Sequence, residues 1–300
     1  MMIDNSYYLA HSLEQLKPQR LSGNIFFGPL NTLTQRQFIE SENIKLFIGV
    51  GLSTRRLAPI LNEIPSFAGK LNDYLVLNFD SEFDAASIIS GSAGSAVEEY
   101  HSHNSTFLKL IIENFLKGNE EFSVQEGYRC LTPTPETLDF AQIIDGDVEA
   151  YYNGGNVYSD PSSSKFVAFN DFIAIFKRVN PTAKVLVFSQ NGNDLELVTF
   201  LVSAVLKEKP SVKVREAYQF IKSIRPTIND SLGKVSHGCS ALSEFHQLLL
   251  AKEQLAAQQG YTGCNQTPQV LRKRNNSILQ GGTPEPADEQ VIGSKRIRFD

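Results

Sequence analysis

The sequence predicts an α/β protein in which a mixed, mainly parallel central sheet is flanked by helices on both faces. Residues 44–50 and 184–188 are short, mostly apolar segments with β-branched side chains, a composition typical of strands buried on both sides of a parallel sheet. Segments with helical spacing of apolar residues stand between and after these strands. This alternation is the pattern of α/β proteins.

The first half of the chain supplies most of the predicted strands. Four elements are expected in order: a strand at 24–27 that ends at Gly28-Pro29, a short helix at 34–40 behind a threonine cap, the buried strand at 44–50, and a strand at 71–79. The last of these runs into an acidic loop at 80–84.

The second half is more regular. Apolar residues recur at helical spacing, and proline or polar residues close each stretch. The strand at 184–188 is followed by a polar turn at 189–194, and Ser211 is expected to cap the helix that ends at Arg225-Pro226. The predicted helices are 166–179, 195–207, 212–224 and 241–258.

The chain is expected to form one domain over 1–260, interrupted by an insertion at about 91–165. The insertion is partly Gly/Ser-rich and contains one predicted helix at 105–117. A structureless loop of that length is uncommon inside a compact domain, so some structure is expected there. Residues 261–300 carry six basic and four acidic side chains with few large apolar ones, which predicts a disordered basic tail.

The composition excludes several classes of protein. A net charge of −5 argues against a nucleic-acid-binding protein, and no stretch approaches the ~20 apolar residues that span a bilayer, so no membrane partner is expected. The three cysteines form no CxxC motif, which argues against a disulfide framework or zinc site. His101 and His103 have metal-like spacing, but a solvated helix surface is the favoured interpretation. No metal and no cofactor are predicted.

The turn at 189–194 lies between a strand and a helix, the layout in which loop N–H groups and a helix N-terminus converge on an anion. The run KVLVFSQNGNDLELV resembles the VLVHC-x-x-G-x-S-R-S loop of the cysteine-dependent dual-specificity phosphatases. Residues 212–226 (VKVREAYQFIKSIRP) resemble a later helix of that family, and residues 25–30 and 43–50 resemble its early strands. Asp80 stands where the resemblance implies the acid-loop aspartate.

The departures from that pattern remove the residues that the family uses to hydrolyse phosphate esters. Gly192 is kept, but the resemblance places Phe188 at the histidine, Ser189 at the nucleophilic cysteine, Asp194 and Glu196 at serines, and Leu195 at the phosphate-binding arginine. A serine hydroxyl needs a neighbouring base, which the sequence does not show, and leucine cannot grip a phosphoryl group. Two carboxylates near the cradle are expected to oppose phosphate. The resemblance therefore implies a pseudophosphatase in which Asp80 is vestigial.

A domain without its reaction is expected to act as a protein-binding, regulatory scaffold. Two basic clusters in the tail have the composition of nuclear-import signals, and the second also resembles the R-V/I-x-F docking peptide of type-1 Ser/Thr phosphatase. The expected partners are an import receptor, a phosphoprotein, a kinase or that phosphatase, with a nuclear and cytoplasmic location. The predicted binding residues are Arg272, Lys273, Arg274, Lys295, Arg296, Ile297, Arg298 and Phe299.

Three alternatives remain open at this point. The chain could be an active phosphatase or other hydrolase with a non-standard site, although neither Cys130 nor Cys239 lies on a predicted cradle. It could be a phosphopeptide reader that binds without hydrolysis. It could also be a generic α/β domain in which the turn at 189–194 only caps a helix.

Overall fold

The structure is a computed structural model, which describes residues 16–64, 67, 74–79, 92–125, 163–228 and 240–262. A five-stranded sheet lies at its centre, in the order β1-β2-β5-β3-β4. The strand β1 pairs antiparallel with β2, and every other neighbouring pair is parallel. The strands are β1 (Gln19–Arg20), β2 (Ile25–Pro29), β3 (Ile44–Val50), β4 (Leu75–Phe79) and β5 (Lys184–Ser189).

Helices cover both faces of this sheet, which confirms the predicted α/β class. A 3₁₀ helix (Leu30–Thr34) follows β2. The described α-helices are α1 (Arg36–Ser41), α2 (Thr54–Glu63), α3 (Ser92–Gln125), α4 (Ser164–Val179), α5 (Leu195–Glu208), α6 (Val214–Ile224) and α7 (Ser240–Thr262).

Alternation along the strands divides the core into two clusters. In β5, Val185 and Val187 belong to the cluster shared with α4, α5, α6 and α7, which we call the second face. Leu186 and Phe188 point to the opposite cluster, shared with α1 and α2, which we call the first face. Because successive side chains of a strand point to opposite sides, a strand buried on both faces must be apolar throughout.

The helix α3 passes around the edge of the sheet at β4. Its early residue Val97 belongs to the first-face cluster, and its later residue Leu108 belongs to the second. Between them, Asn104 Nδ2 donates to the Val76 carbonyl at 2.7 Å, and His103 Nε2 lies 3.1 Å from the Tyr74 carbonyl. The free edge of β4 is therefore covered by side chains of α3, which protects it from pairing with another strand.

This arrangement corrects two predictions about the interrupting segment. The helix expected at 105–117 is longer and is part of the domain core, since Leu108 and Ile111 are buried. His103 does not belong to a purely solvated surface, because its ring contacts the carbonyl of Tyr74, the residue just before the edge strand. Apolar spacing identified the middle of this helix, whereas its polar early turns are recognisable only from their packing on β4.

Other predicted boundaries differ in smaller ways. The helix expected at 34–40 is a 3₁₀ helix followed by α1, which begins at Arg36. The helix expected to be capped by Ser211 begins at Val214, where the Lys213 N–H donates to the Glu216 side chain at 3.2 Å. The helix α2 was not predicted. Within 71–79, the structure describes a strand only over Leu75–Phe79.

Candidate functional site

The candidate site lies where β5 ends in the middle of the sheet. The chain leaves its two parallel neighbours, β2 and β3, toward helices of the first face. After β5, in contrast, it turns to α5 on the second face. In open α/β sheets, ligands bind in the crevice outside the carboxyl ends of strands at such a reversal. Fold alone therefore directs attention to the β5–α5 loop, residues 190–194, and its surroundings.

This loop is closed by hydrogen bonds that join its own polar groups to one another and to the Ser189 hydroxyl. The Ser189 hydroxyl donates to the Asp194 carboxylate and accepts the Gly192 N–H at 3.1 Å. The Asn191 N–H donates to the same carboxylate at 3.1 Å, and the Asn191 side-chain amide lies 3.4 Å from its second oxygen. Ser189 is only 1% exposed. The position that the resemblance assigns to a nucleophile is therefore buried and already bonded.

Gly192 fixes the path of the loop against the end of β2. Its φ of +72° lies in the left-handed region, which favours glycine. A Cβ at this position would lie 2.5 Å from the Pro29 nitrogen and 2.6 Å from the Gly28 carbonyl carbon. Backbone atoms cannot move aside as a flexible side chain can. The loop thus needs glycine both for its conformation and for its close approach to β2.

An arginine that the sequence analysis did not assign to the site holds the loop from behind. The side chain of Arg225, at the end of α6, is 2% exposed, and its Nη2 donates to the Asn191 carbonyl at 3.0 Å. Burial lowers the pKa of the Arg225 guanidinium, and the charge of Asp194 acts in the opposite direction. Nearby, Asn193 Nδ2 lies 3.4 Å from the Thr227 carbonyl. The Arg-Pro pair ending the 212–226 resemblance was the available sequence signal.

The remaining residues of the predicted loop point elsewhere. Leu195, at the position of the phosphate-binding arginine, is half-buried against the second-face core. Phe188, at the histidine position, is fully buried in the first-face core. Glu196 is exposed, and its Cβ lies 3.8 Å from the position that a Cβ on Gly51 would occupy. The Leu195 and Phe188 side chains carry no polar group that could bind a phosphoryl ligand, and the negative charge of Glu196 would repel one.

A groove opens beside the closed loop, on the first face. Its walls are formed by the β3–α2 turn, the side of α2 and the loop residue Gln190. The Arg56 side chain is exposed at this groove, and Leu57 is buried beneath it. The lining residues are Leu30, Gly51, Leu52, Ser53, Arg56, Leu57, Ile60 and Gln190, among which there is no cysteine or histidine.

The β3–α2 turn that borders this groove is held from the neighbouring strand. Asn78 of β4 is 2% exposed, and its Nδ2 donates to the Leu52 carbonyl at 2.9 Å and to the Thr54 hydroxyl at 3.0 Å. A buried amide that bonds a turn in this way fixes the turn's position. Asn78 was not singled out from the sequence, because one polar residue within an apolar strand carries no indication of its partner.

One expectation about the loop is wrong. The sequence showed no base near Ser189, whereas the structure places the Asp194 carboxylate on the Ser189 hydroxyl. Several other predicted residues lie outside the described residues: Asp80, Cys130, Cys239 and all of the tail positions from Arg272 to Phe299. Within the described ranges, no group of three or more His, Cys, Asp or Glu side chains could hold a metal ion. No described helix is both long and apolar enough to cross a membrane.

Fold and site together define an α/β protein with a closed strand–loop–helix turn at its central strand. Residues 16–192 match the YAL037W N-terminal domain, and the chain belongs to this family. It is 33% identical to the Saccharomyces cerevisiae protein named uncharacterized protein YOR342C over 231 residues, which are 69% of this chain and 68% of that protein. It is 28% identical to uncharacterized protein YAL037W of the same yeast over 286 residues, 95% of this chain and 93% of that protein.

The matched region ends inside the β5–α5 loop, at Gly192. Structurally this is not a domain boundary, since α5 and α6 pack against the same sheet and share the second-face core. The family match therefore contains the strands and the glycine of the candidate site, whereas Asp194 and Arg225, which complete the closed loop, lie beyond it.

Proposed function

We propose that this protein is a catalytically inactive, dual-specificity phosphatase-like protein that acts as a protein-binding regulatory scaffold. One observation carries the proposal. At the position where the resemblance implies a reactive thiol, Ser189 is buried and bonded to Asp194, and at the position of the arginine, Leu195 packs against the core. The order of a strand, a polar turn and a helix supports the resemblance, whereas the residues that would catalyse phosphate transfer are absent from this turn.

Access to Ser189 is the strongest physical argument against hydrolysis by this loop. A nucleophile must approach the reacting atom to about 3–3.5 Å with a free lone pair. The Ser189 hydroxyl is almost completely covered, and it accepts the Gly192 N–H. The Ser189 hydroxyl donates its proton to the Asp194 carboxylate, a bond that closes the loop, and Leu195 stands at the position of the missing arginine.

The scaffold function would use surfaces outside the closed loop. The groove beside Gln190 combines apolar walls with the exposed Arg56, which are features of a surface that binds a protein segment. In the tail, the basic clusters at 272–274 and 295–298 support import and a nuclear as well as cytoplasmic location. The sequence at 295–299 supports docking to type-1 Ser/Thr phosphatase; a phosphoprotein or a kinase are the other proposed partners.

The test of inactivity is an assay of the full chain with an aryl phosphate and with phosphotyrosine and phosphothreonine peptides. We expect phosphate release no faster than in buffer, and the same result for Ser189→Ala. The alternative, an active hydrolase, predicts turnover. Release by the wild-type chain that Ser189→Ala abolishes would overturn the proposal, and release that survives this substitution would place activity at another site.

The test of the scaffold function measures binding of purified type-1 phosphatase and of an import receptor to the full chain. A chain lacking 261–300 should lose both interactions if the tail carries them. Replacing Ile297 and Phe299 by alanine should remove only the phosphatase, because these would be the apolar anchors of an added strand. Replacing Arg272 and Arg274 by alanine is the matched control, which should leave phosphatase binding unchanged.

A further inference from the structure

We infer that the Asp194 carboxylate is the resident anion of the β5–α5 loop, and that it keeps closed a site for a tetrahedral oxyanion. The inference deepens the proposed function and rests on it, because it explains how an ordered loop of this layout can lack affinity for phosphate. Three donors of Ser189 and Asn191 meet the Asp194 carboxylate.

The donors around Asp194 are those that an external anion would use. The Ser189 hydroxyl and the Asn191 N–H both donate to a single carboxylate oxygen. Backbone N–H groups of a loop and a hydroxyl are the usual partners of bound oxyanions. Here one N–H, that of Asn191, and the Ser189 hydroxyl already donate to Asp194, so an incoming phosphate has to displace a carboxylate that is part of the chain.

Asp194 behaves as a ligand of the loop and not as a cap of its own helix. It occupies the N-cap position of α5, where an aspartate usually accepts an N–H from the first turn of the helix. Its side chain makes no such bond and instead points back to Ser189 and Asn191. An ordinary capping role therefore does not explain the side chain's position.

The buried charge of Arg225 gives a second, independent reason for an anion here. This guanidinium lies outside the loop sequence, is 2% exposed, and is held against the loop through the Asn191 carbonyl. The electrostatic interaction between Arg225 and Asp194 stabilises the charged guanidinium. A cation taken out of water requires a compensating negative charge, and Asp194 supplies that charge in the resting protein.

The test replaces Asp194 and measures the binding of inorganic phosphate and of tungstate to the full chain by isothermal titration calorimetry. Wild-type protein should bind neither anion at millimolar concentration. Asp194→Ala should bind both at least about tenfold more tightly than wild type. Asp194→Asn, which keeps the size of the side chain, should show a smaller gain because its amide oxygen still accepts one loop donor.

Glu196→Ala is the matched control, since it removes an exposed carboxylate two residues away that makes no bond to the loop donors in the described structure. It should bind anions no better than wild type, which separates a local opening from a general loss of negative charge. For a variant that is too unstable for calorimetry, the melting temperature is measured with and without phosphate, because binding to the folded state raises it. A phosphate-dependent rise confined to the Asp194 variants supports the inference.

Two results would overturn it. The first is that folded Asp194→Ala and Asp194→Asn gain neither anion binding nor a phosphate-dependent melting shift. The second is that wild type and Glu196→Ala bind the anions as well as the Asp194 variants do. Neither result decides the proposed function, which fails on a different measurement: phosphate release from a phosphopeptide by the wild-type chain.

Discussion

The turns that follow β3 and β5 leave the same edge of the sheet, and each contains a glycine with positive φ, Gly51 at +67° and Gly192 at +72°. Their surroundings differ. A Cβ on Gly51 would meet nothing nearer than 3.8 Å, whereas a Cβ on Gly192 would lie 2.5 Å from the Pro29 nitrogen. The first turn borders an open groove, and the second is packed against a neighbouring strand.

The same contrast holds for their charged groups. At the β3–α2 turn, Arg56 is exposed at the groove. At the β5–α5 turn, Arg225 is buried and Asp194 is bonded to Ser189 and Asn191. The turn with the layout of a catalytic loop is thus the one that uses its polar groups to hold itself together. The β3–α2 turn is held instead by Asn78 of the neighbouring strand, and the Arg56 side chain beside it stays exposed at the groove.

The largest expected effect comes from adding one carbon to each glycine. Gly192→Ala should lower the free energy of unfolding by about 4 kcal/mol, because strain at positive φ adds to a clash with the backbone of β2. Gly51→Ala should cost only about 1 kcal/mol, since strain alone applies there. Urea denaturation followed by circular dichroism measures both. Equal losses in the two variants would contradict the packing difference between the turns.

The second-largest expected effect on stability separates the buried Arg225 from the exposed Arg56. Arg225→Met should lower the free energy of unfolding by about 3 kcal/mol, because the Asn191 carbonyl loses a donor and Asp194 loses its facing charge. Arg56→Met is the control on the open turn, and it should change stability by less than about 0.5 kcal/mol because Arg56 is exposed. The same denaturation experiment applies. An Arg225→Met protein as stable as wild type would show that this side chain does not hold the loop.

The smallest effect separates the two carboxylates that follow β5. Asp194→Ala should cost about 2 kcal/mol, the typical value for hydrogen bonds to a charged group. Glu196→Ala should leave stability within about 0.5 kcal/mol of wild type, because Glu196 is exposed. If both changes have the same effect, the hydrogen bonds of Asp194 contribute nothing net to folding.

Much of the fold was predictable because its signals are local. The strand at 44–50 is found with those bounds, and β5 extends only one residue beyond 184–188. The helix α2 was missed because it contains Pro59, which lacks the N–H that a continuing helix requires. Burial of Leu57, Ala58 and Leu61 on the first face accompanies the helical conformation there. Packing can thus override a weak local preference.

The site was predictable only in part. The sequence placed Ser189, Gly192 and Leu195 on a strand–turn–helix, and the structure has them at the end of β5, in the loop and at the start of α5. It predicted that Asp194 would repel an external phosphate, but it did not predict the bond to Ser189. Because side-chain direction at an N-cap depends on the competing donors nearby, that bond follows from the folded loop and not from residue type.

What the sequence determined by itself is the series of strands and helices and the residue types at the turn after β5, since apolar periodicity and turn residues act over a few neighbouring positions. What only the tertiary structure decided is that the turn is closed. Arg225 and Asn191 are 34 residues apart in the chain, and they meet because α5 and α6 pack together on one face of the sheet. Electrostatic and hydrogen-bond partners are chosen by that packing, over distances that local sequence does not encode.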